Sequence, residues 1–198
     1  DYVLSGACDA GTLQTLGGII GKSMAPAAPG DDFPEPDCSL LRNKRVMPLR
    51  TSRGCPHRCP YCAAALLEPR FAQTPPLTIA EYITRLHAQG AVDFALYDDA
   101  LLVNAGRHFI PLFREICSRG VTARFHVPNG LQVRSIDDRI ASLMRQAGFA
   151  TLRLSLETIA PDDRRLIGVK AAEQEFARAV AALRKAGFSS DALGVYIL

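Results

Sequence analysis

Residues 51–66 read TSRGCPHRCPYCAAAL. Cys55, Cys59 and Cys62 fall there at the spacing C-x3-C-x2-C, while Cys8, Cys38 and Cys117 stand alone elsewhere. A closed structural zinc site takes four ligands, commonly as two separated pairs. No second pair exists, and His57 lies too close to its neighbours within the motif to complete the set. Cys59 and Cys62 have the spacing of a redox pair, but such a pair opens a helix in a much smaller fold and would leave Cys55 unexplained. An iron–sulfur cube fits better, because it is held by thiolates. A compact loop can wrap three of its corners. The missing fourth cysteine then reads as an open coordination position for a substrate or cofactor.

The surrounding chain has 198 residues, enough for one domain or slightly more. It is 48% hydrophobic, which allows a sizeable core. Its 23 basic and 20 acidic residues give a formal net charge of +3 and are scattered rather than clustered. That balance argues against a nucleic-acid or membrane-surface partner. No apolar run reaches the ~18 residues of a membrane span, and neither a membrane segment nor a signal peptide is expected. The sequence opens on Asp1 and closes on GVYIL, a strand in progress, so it reads as an internal piece of a longer protein. The strand–helix alternation described next suits an intracellular, cytoplasmic enzyme. There, clustered cysteines bind metal or do redox chemistry rather than form disulfides.

From residue 46 onward one unit recurs: an apolar strand, a polar residue at its end, an amphipathic helix, then glycine. Ile79, Tyr82, Ile83 and Leu86 mark one helix face at i, i+3, i+4, i+7. Thr78 with Glu81 predicts a capping box at its start. Phe109, Leu112, Phe113 and Ile116 mark a second face. Ile136, Ile140, Leu143, Met144 and Ala147 mark a third, and Phe176, Ala179, Val180 and Leu183 a fourth. Gly90, Gly120, Gly148 and Gly187 follow the helices, as left-handed C-terminal turns require. Strands are expected at RVMPLRTS, VDFALY, VTARFHV, ATLRLSL and ALGVYIL. This is the signature of βαβ units around a parallel sheet.

Each strand end carries a polar candidate. The three cysteines follow the first strand, Asp98 and Asp99 the second, Asn129 and Gly130 the third, and Glu157 closes the fourth. In parallel α/β barrels chemistry collects at these ends. Periodicity alone leaves a barrel and an open doubly wound sheet undecided. Residues 23–45 are rich in Pro, Ala and Asp and read as a linker. Residues 1–22 read as a short strand, a turn and a helix, the last βα unit of a preceding domain.

Taken together, C-x3-C-x2-C with Tyr61 before the last cysteine, placed directly after a first strand, resembles the radical S-adenosylmethionine (radical SAM) superfamily over residues 46–198. The resemblance implies an α/β fold, a partial parallel (β/α) barrel of the TIM-barrel-like type, here truncated after the fifth strand. It implies Cys55, Cys59 and Cys62 as ligands of a 4Fe-4S cluster, with S-adenosylmethionine on the fourth iron. It implies reductive cleavage of that cofactor to methionine and a 5′-deoxyadenosyl radical, which abstracts hydrogen from a small-molecule or peptide substrate. An electron donor such as flavodoxin or ferredoxin is implied as partner. Tyr61 matches the aromatic whose backbone lies near the adenine. Asp98 and Asp99 stand where many members have Gly-Gly-Glu, which receives the methionine amino group; a carboxylate is kept and the glycines are not. Asn129 and Gly130 match a common third-strand Asn-Gly, and Ser155 and Glu157 stand where the fourth strand offers polar groups to the cofactor. Among the other candidates, His87 and His108 fall on expected helices, and His126 sits late in a strand. Arg50, Arg53 and Arg153 are positioned either to meet an anion or to pair with nearby acids.

The first residues, DYVLSGACDAGTLQTL, are similar in layout to the end of the cobalamin-binding (B12-binding) domain of cobalamin-dependent radical SAM enzymes, which precedes a Pro-rich linker and the barrel. They depart from it at Ala7, Cys8, Asp9 and Ala10, where Glu is usual. Cobalamin is thus a candidate second cofactor. The leading expectation is cobalamin-linked methyl transfer or ring formation. The alternatives are a methylthiotransferase or other hydrogen-abstracting enzyme without cobalamin, and a non-catalytic metal-binding module.

Overall fold

The computed structural model describes residues 10–24, 41–157 and 173–197. Helix α1 (Ala10–Ile20) lies ahead of the main body. Then follow β1 (Val46–Leu49), β2 (Ser52–Arg53), α2 (Ala64–Leu67), β3 (Ala72–Gln73), α3 (Pro76–Ala88) and β4 (Asp93–Leu96). They are followed by α4 (Phe109–Ser118), β5 (Arg124–Gln132), α5 (Asp138–Ala147), β6 (Phe149–Glu157), α6 (Glu173–Lys185) and β7 (Leu193–Ile197). No helix among the described residues is long and apolar enough to cross a membrane.

Five strands form one parallel sheet in the order β1-β4-β5-β6-β7, which is also their order along the chain. A doubly wound sheet reverses direction at a switch point. No reversal occurs here, and α3 packs on α4, α4 on α5 and α5 on α6. The architecture is therefore an arc of a barrel with its helices on one side. Among the described residues the arc does not close, and β1 and β7 are its edges.

The period-2 rule of strands sorts the side chains. Met47, Leu49, Phe94, Leu96, Phe125, Val127, Leu152 and Leu154 are buried on the helix side. Pro48, Ala95, His126, Thr151 and Arg153 alternate with them and are more accessible. The helix faces expected from spacing supply the other half of the core. Phe113 of α4 meets Phe125 edge-on at 5.2 Å and Phe149 at 4.8 Å between ring centroids. Phe176 and Val180 pack against this core while remaining partly accessible. Gly90, Gly120, Gly148 and Gly187 all take positive φ, as expected. Gly148 shows why most sharply, since a Cβ there would also meet the Ala123 carbonyl oxygen at 2.4 Å.

Three expectations are corrected. The capping box of Thr78 and Glu81 does not form: α3 starts earlier, at Pro76, with Pro75 as cap and no side-chain cap bond. A proline in the first turn has no N–H to satisfy and a preset φ, so it starts the helix two residues upstream. Asn129 and Gly130 do not follow the third strand. They lie within β5, where the pairing with β6 shifts between Val127 and Gly130. The strand rejoins its neighbour at a residue with no Cβ, because one there would sit 2.0 Å from Ser155 Oγ. His108 lies at the N-cap of α4 rather than within a helix.

Candidate active site

The residues after β1 form a closed loop. β2 pairs antiparallel with β3, Ser52 opposite Gln73 and Arg53 opposite Ala72, so residues 54–71 leave and return at one place. Gly54 turns the chain out with φ +69°, and a Cβ there would meet the Arg70 carbonyl oxygen at 2.5 Å and that of Glu68 at 2.8 Å. Glycine is thus required twice over, for its left-handed backbone and for the close approach of the returning leg. Beyond it a turn carries the Cys62 N–H to the Cys59 carbonyl at 3.0 Å. Short helix α2 follows and leaves Leu66 and Leu67 exposed.

Cys55, Cys59 and Cys62 all line one cavity of about 620 Å³, walled also by Arg58, Leu66 and Phe71. The three side chains are thiols. Among the described residues no three His, Cys, Asp or Glu side chains gather closely enough to share a single ion. Three soft donors spaced around one cavity suit a body of several metal atoms held at its corners. The donor set, three thiols lining one cavity, is of the chemical kind that holds an iron–sulfur cluster. Cys117 lies on α4 against the core, where burial raises its thiol pKa. Cys8 and Cys38 lie outside the described residues.

The two aspartates after β4 part company. Asp98 is 2% exposed. Its carboxylate accepts the Thr51 N–H at 3.0 and 3.1 Å, the Thr51 hydroxyl at 2.7 Å and the Ser52 hydroxyl at 2.6 Å. Burial raises its pKa, and the donated bonds from Ser52 and Thr51 oppose that rise. Asp99 is far more accessible, and its carboxylate lies 3.9 Å from Arg50. Arg50 also stands 3.6 Å from Glu68, which accepts from Arg53 at 3.2 Å. Both arginines thus pair with acids at the loop mouth. Arg153 donates to the Leu152 carbonyl at 3.3 Å and lies against Gly194 of β7.

The remaining strand-end candidates gather on the same side. The Asn129 side-chain amide donates to the Asp98 carbonyl at 3.2 Å. Ser155 is buried beside Gly130. Tyr196 donates its hydroxyl to the Pro128 carbonyl at 2.6 Å, joining β7 to β5. Tyr61 is exposed on the cysteine loop. Glu157 ends β6, paired through its backbone with Ile197, and its side chain lies outside the described residues. The structure thus brings Asp98, Asp99 and Asn129 to the root of the cysteine loop.

Sequence reasoning passed over Thr51 and Ser52, and read His108 only as a residue on a helix. The first two are the polar pair between an apolar strand and the glycine that opens the motif, a position where hydroxyls find work. His108 is buried, with Nε2 at 3.1 Å from the Thr74 carbonyl. Burial lowers its pKa, and the charge of Asp98 acts against that shift. Nothing in the local sequence marks it, since its burial comes from long-range packing. Two other histidines have plain structural partners. His87 contacts the Ala91 carbonyl, and His126 bridges Asp93 and Thr151 at the opposite end of the sheet.

Residues 49–198 match the family model described as the Radical SAM superfamily. Over 177 residues, 85% of this chain, the sequence is 25% identical to a protein of Pyrococcus horikoshii named as an uncharacterized methyltransferase, and it spans 38% of that relative's length. Among solved structures, the radical S-adenosylmethionine methyltransferase TsrM from Kitasatospora setae, with cobalamin and a 4Fe-4S cluster bound, matches with a TM-score of 0.66 at 20% identity. That match covers 77% of this chain and 30% of the other. HydG, a maturase of FeFe-hydrogenase, matches with a TM-score of 0.54 at 17% identity, over 77% of this chain and 34% of its own. At such identities the structural likeness is one of fold.

Proposed function

The chain belongs to the radical SAM superfamily, and from that premise we propose that Cys55, Cys59 and Cys62 hold a 4Fe-4S cluster on which S-adenosylmethionine is cleaved. The observation that carries this reading is the one cavity lined by all three thiols on the loop that follows β1. When bound and reduced, the cluster supplies the electron that breaks the sulfonium carbon–sulfur bond and so yields a 5′-deoxyadenosyl radical. This chain's residues place and shield that chemistry. The accessible Asp99 carboxylate receives the cofactor's methionine amino group, with Arg50 beside it for the carboxylate. The backbone at Tyr61 lies along the adenine. Asn129 and Glu157 present the ends of β5 and β6 to the rest of the cofactor, and the buried Ser155 packs behind them against Gly130.

Methyl transfer is the reaction class we favour. It is supported by the name of the Pyrococcus relative. Cobalamin as a second cofactor is supported by the layout of residues 1–22 and by the cobalamin bound to TsrM, a protein of the same fold. On this reading residues 1–22 end a cobalamin-binding domain, residues 23–45 are a linker and residues 46–198 belong to the radical SAM core. The protein then works in the cytoplasm on a small-molecule or peptide substrate, with flavodoxin or ferredoxin as electron donor.

The test is anaerobic iron and sulfide analysis, with EPR of the dithionite-reduced protein before and after S-adenosylmethionine. About four irons per chain and a signal that shifts on addition are expected. One zinc per chain, or a cluster indifferent to the cofactor, would overturn the reading. Cobalamin retained by the intact protein, seen in its visible spectrum, tests the second cofactor separately.

A further inference from the structure

We propose that Asp98 is a positioning residue for the cysteine loop rather than a contact to the cofactor; this rests on the cluster assignment above. Three donors converge on it: the Thr51 hydroxyl, the Ser52 hydroxyl and the Thr51 N–H all reach Oδ1, and that N–H is shared with Oδ2. At 2% exposure the side chain has no accessible face left for a ligand. Asp98 could take an amino group only by releasing the loop.

What it holds is the root of that loop. Thr51 immediately precedes β2 and Ser52 opens it, paired with Gln73 of β3, and Cys55 follows shortly after. The returning leg is tied to the same knot. The Thr74 N–H donates to the Thr51 carbonyl at 3.1 Å, and the Gln73 side chain donates to the Val103 carbonyl at 3.0 Å. His108 meets the Thr74 carbonyl from below. The Asp98 backbone is in turn held by Asn129 of β5. The carboxylate just past the end of β4 therefore holds the outgoing leg directly and, through Thr51, the returning leg at Thr74. Burying it costs stability, because its donors are neutral groups and, among the described residues, no cationic side chain hydrogen-bonds to it. A residue kept at such a cost sets position. The positions at stake are those of the three sulfurs, and through them the orientation of the open iron toward Asp99.

The experiment uses Asp98→Asn, Asp98→Ala, Ser52→Ala and the double variant Ser52→Ala/Asp98→Ala in the intact protein. Hydrogen exchange of residues 51–73 is measured without iron. The EPR spectrum and reduction potential per assembled cluster are measured after reconstitution. Asp98→Ala is expected to speed exchange of that segment tenfold or more while α4 and α5 keep their protection. The clusters that do assemble should give a shifted spectrum. Ser52→Ala, a mild change, should move both readouts the same way, and the double variant should add little to Asp98→Ala, because the two residues share bonds. A merely structural role would speed exchange across the whole sheet and leave the spectrum per cluster unchanged, which overturns the proposal. Unaltered exchange and spectrum in a protein that takes up its cluster overturn this inference alone. A wild-type protein that takes up no cluster overturns both this and the proposed function.

Discussion

Two carboxylates stand at opposite ends of β4, and they are answered in opposite ways. Asp93, at the start of the strand, receives a forked pair of bonds from Arg124 at 2.6 and 2.7 Å and a third from His126 at 3.1 Å. The Arg124 hydrogen bond, the largest influence, pulls its pKa down to about 2. Asp98, just past the other end, is met by hydroxyls and a backbone N–H, and burial raises its pKa. The first arrangement compensates charge with charge. The second keeps a carboxylate in the interior with neutral donors for the sake of where they are held. In parallel α/β barrels the N-terminal ends of strands serve stability and the C-terminal ends serve chemistry. β4 carries both strategies on one short strand.

The largest effect should come from breaking the chemical end without touching the other. Cys59→Ala is expected to lower iron per chain to background and abolish cleavage of S-adenosylmethionine. Its unfolding midpoint without metal should stay close to that of the unaltered protein, since Cys59 lies on the loop outside the core. Iron content paired with urea unfolding checks this. A Cys59→Ala protein that still cleaved the cofactor would end the assignment.

The pH dependence of stability separates the two carboxylates by sign. Asp93 has a folded pKa below its unfolded value of about 3.8. Its contribution is therefore present above that value and lost as pH falls through about 2. Asp93→Asn should cost about 1–2 kcal/mol near neutrality, and the cost should vanish toward pH 2. Asp98 has a folded pKa above its unfolded value, so its contribution is complete below about 3.8 and lost as pH rises through the folded value. The penalty of Asp98→Asn should therefore be larger in acid than at neutral pH. Urea titrations of the metal-free variants from pH 2 to 7 give two difference curves. Equal slopes would remove the distinction drawn between the ends of β4.

The hydroxyls at the two ends sharpen the same contrast. Ser52 donates to a buried carboxylate, whereas Thr151 bonds a ring nitrogen of His126 at 2.9 Å. Hydrogen bonds to charged groups are worth about 1.5–3 kcal/mol and neutral ones about 0.5–1.5. Ser52→Ala should accordingly cost about 2 kcal/mol and Thr151→Val about 1, read from unfolding midpoints at neutral pH. A reversed order would mean that Asp98 holds its donors loosely.

These contrasts also mark what the sequence could and could not disclose. The helix faces, the strands and the terminal glycines were legible because each rests on a local period or a backbone requirement. Cys55, Cys59 and Cys62 were legible because thiols at short spacing have few alternative uses. Periodicity left the arc and a doubly wound sheet undecided, since strand order is a long-range property, and the family resemblance carried by the cysteine motif supplied the partial barrel that the sheet order bears out. The division of labour between Asp98 and Asp99 was also hidden. Adjacent residues point to opposite sides of an extended chain, and which side meets Thr51 and Ser52 depends on the register of β1 with β4. Asn129 and Gly130 misled for a related reason, because a turn-forming pair can also lie within a shifted strand.

The smallest effect is expected at Thr78, away from both carboxylates. The pattern Thr78-x-x-Glu81 is that of a capping box, yet α3 begins at Pro76 and its start has no side-chain cap bond. A working N-cap lost to alanine costs about 0.5–2 kcal/mol. A threonine already inside the first turn caps nothing, and alanine is the better helix former there. Thr78→Ala should thus shift stability by less than about 0.5 kcal/mol, in either direction. Its unfolding midpoint calibrates the comparison along β4: Ser52 and Thr78 are both hydroxyl residues, and only the one bonded to Asp98 should matter. A loss of 1 kcal/mol or more at Thr78 would place the helix start where the local pattern puts it and would weaken any reading of hydroxyl losses as effects of the buried carboxylate.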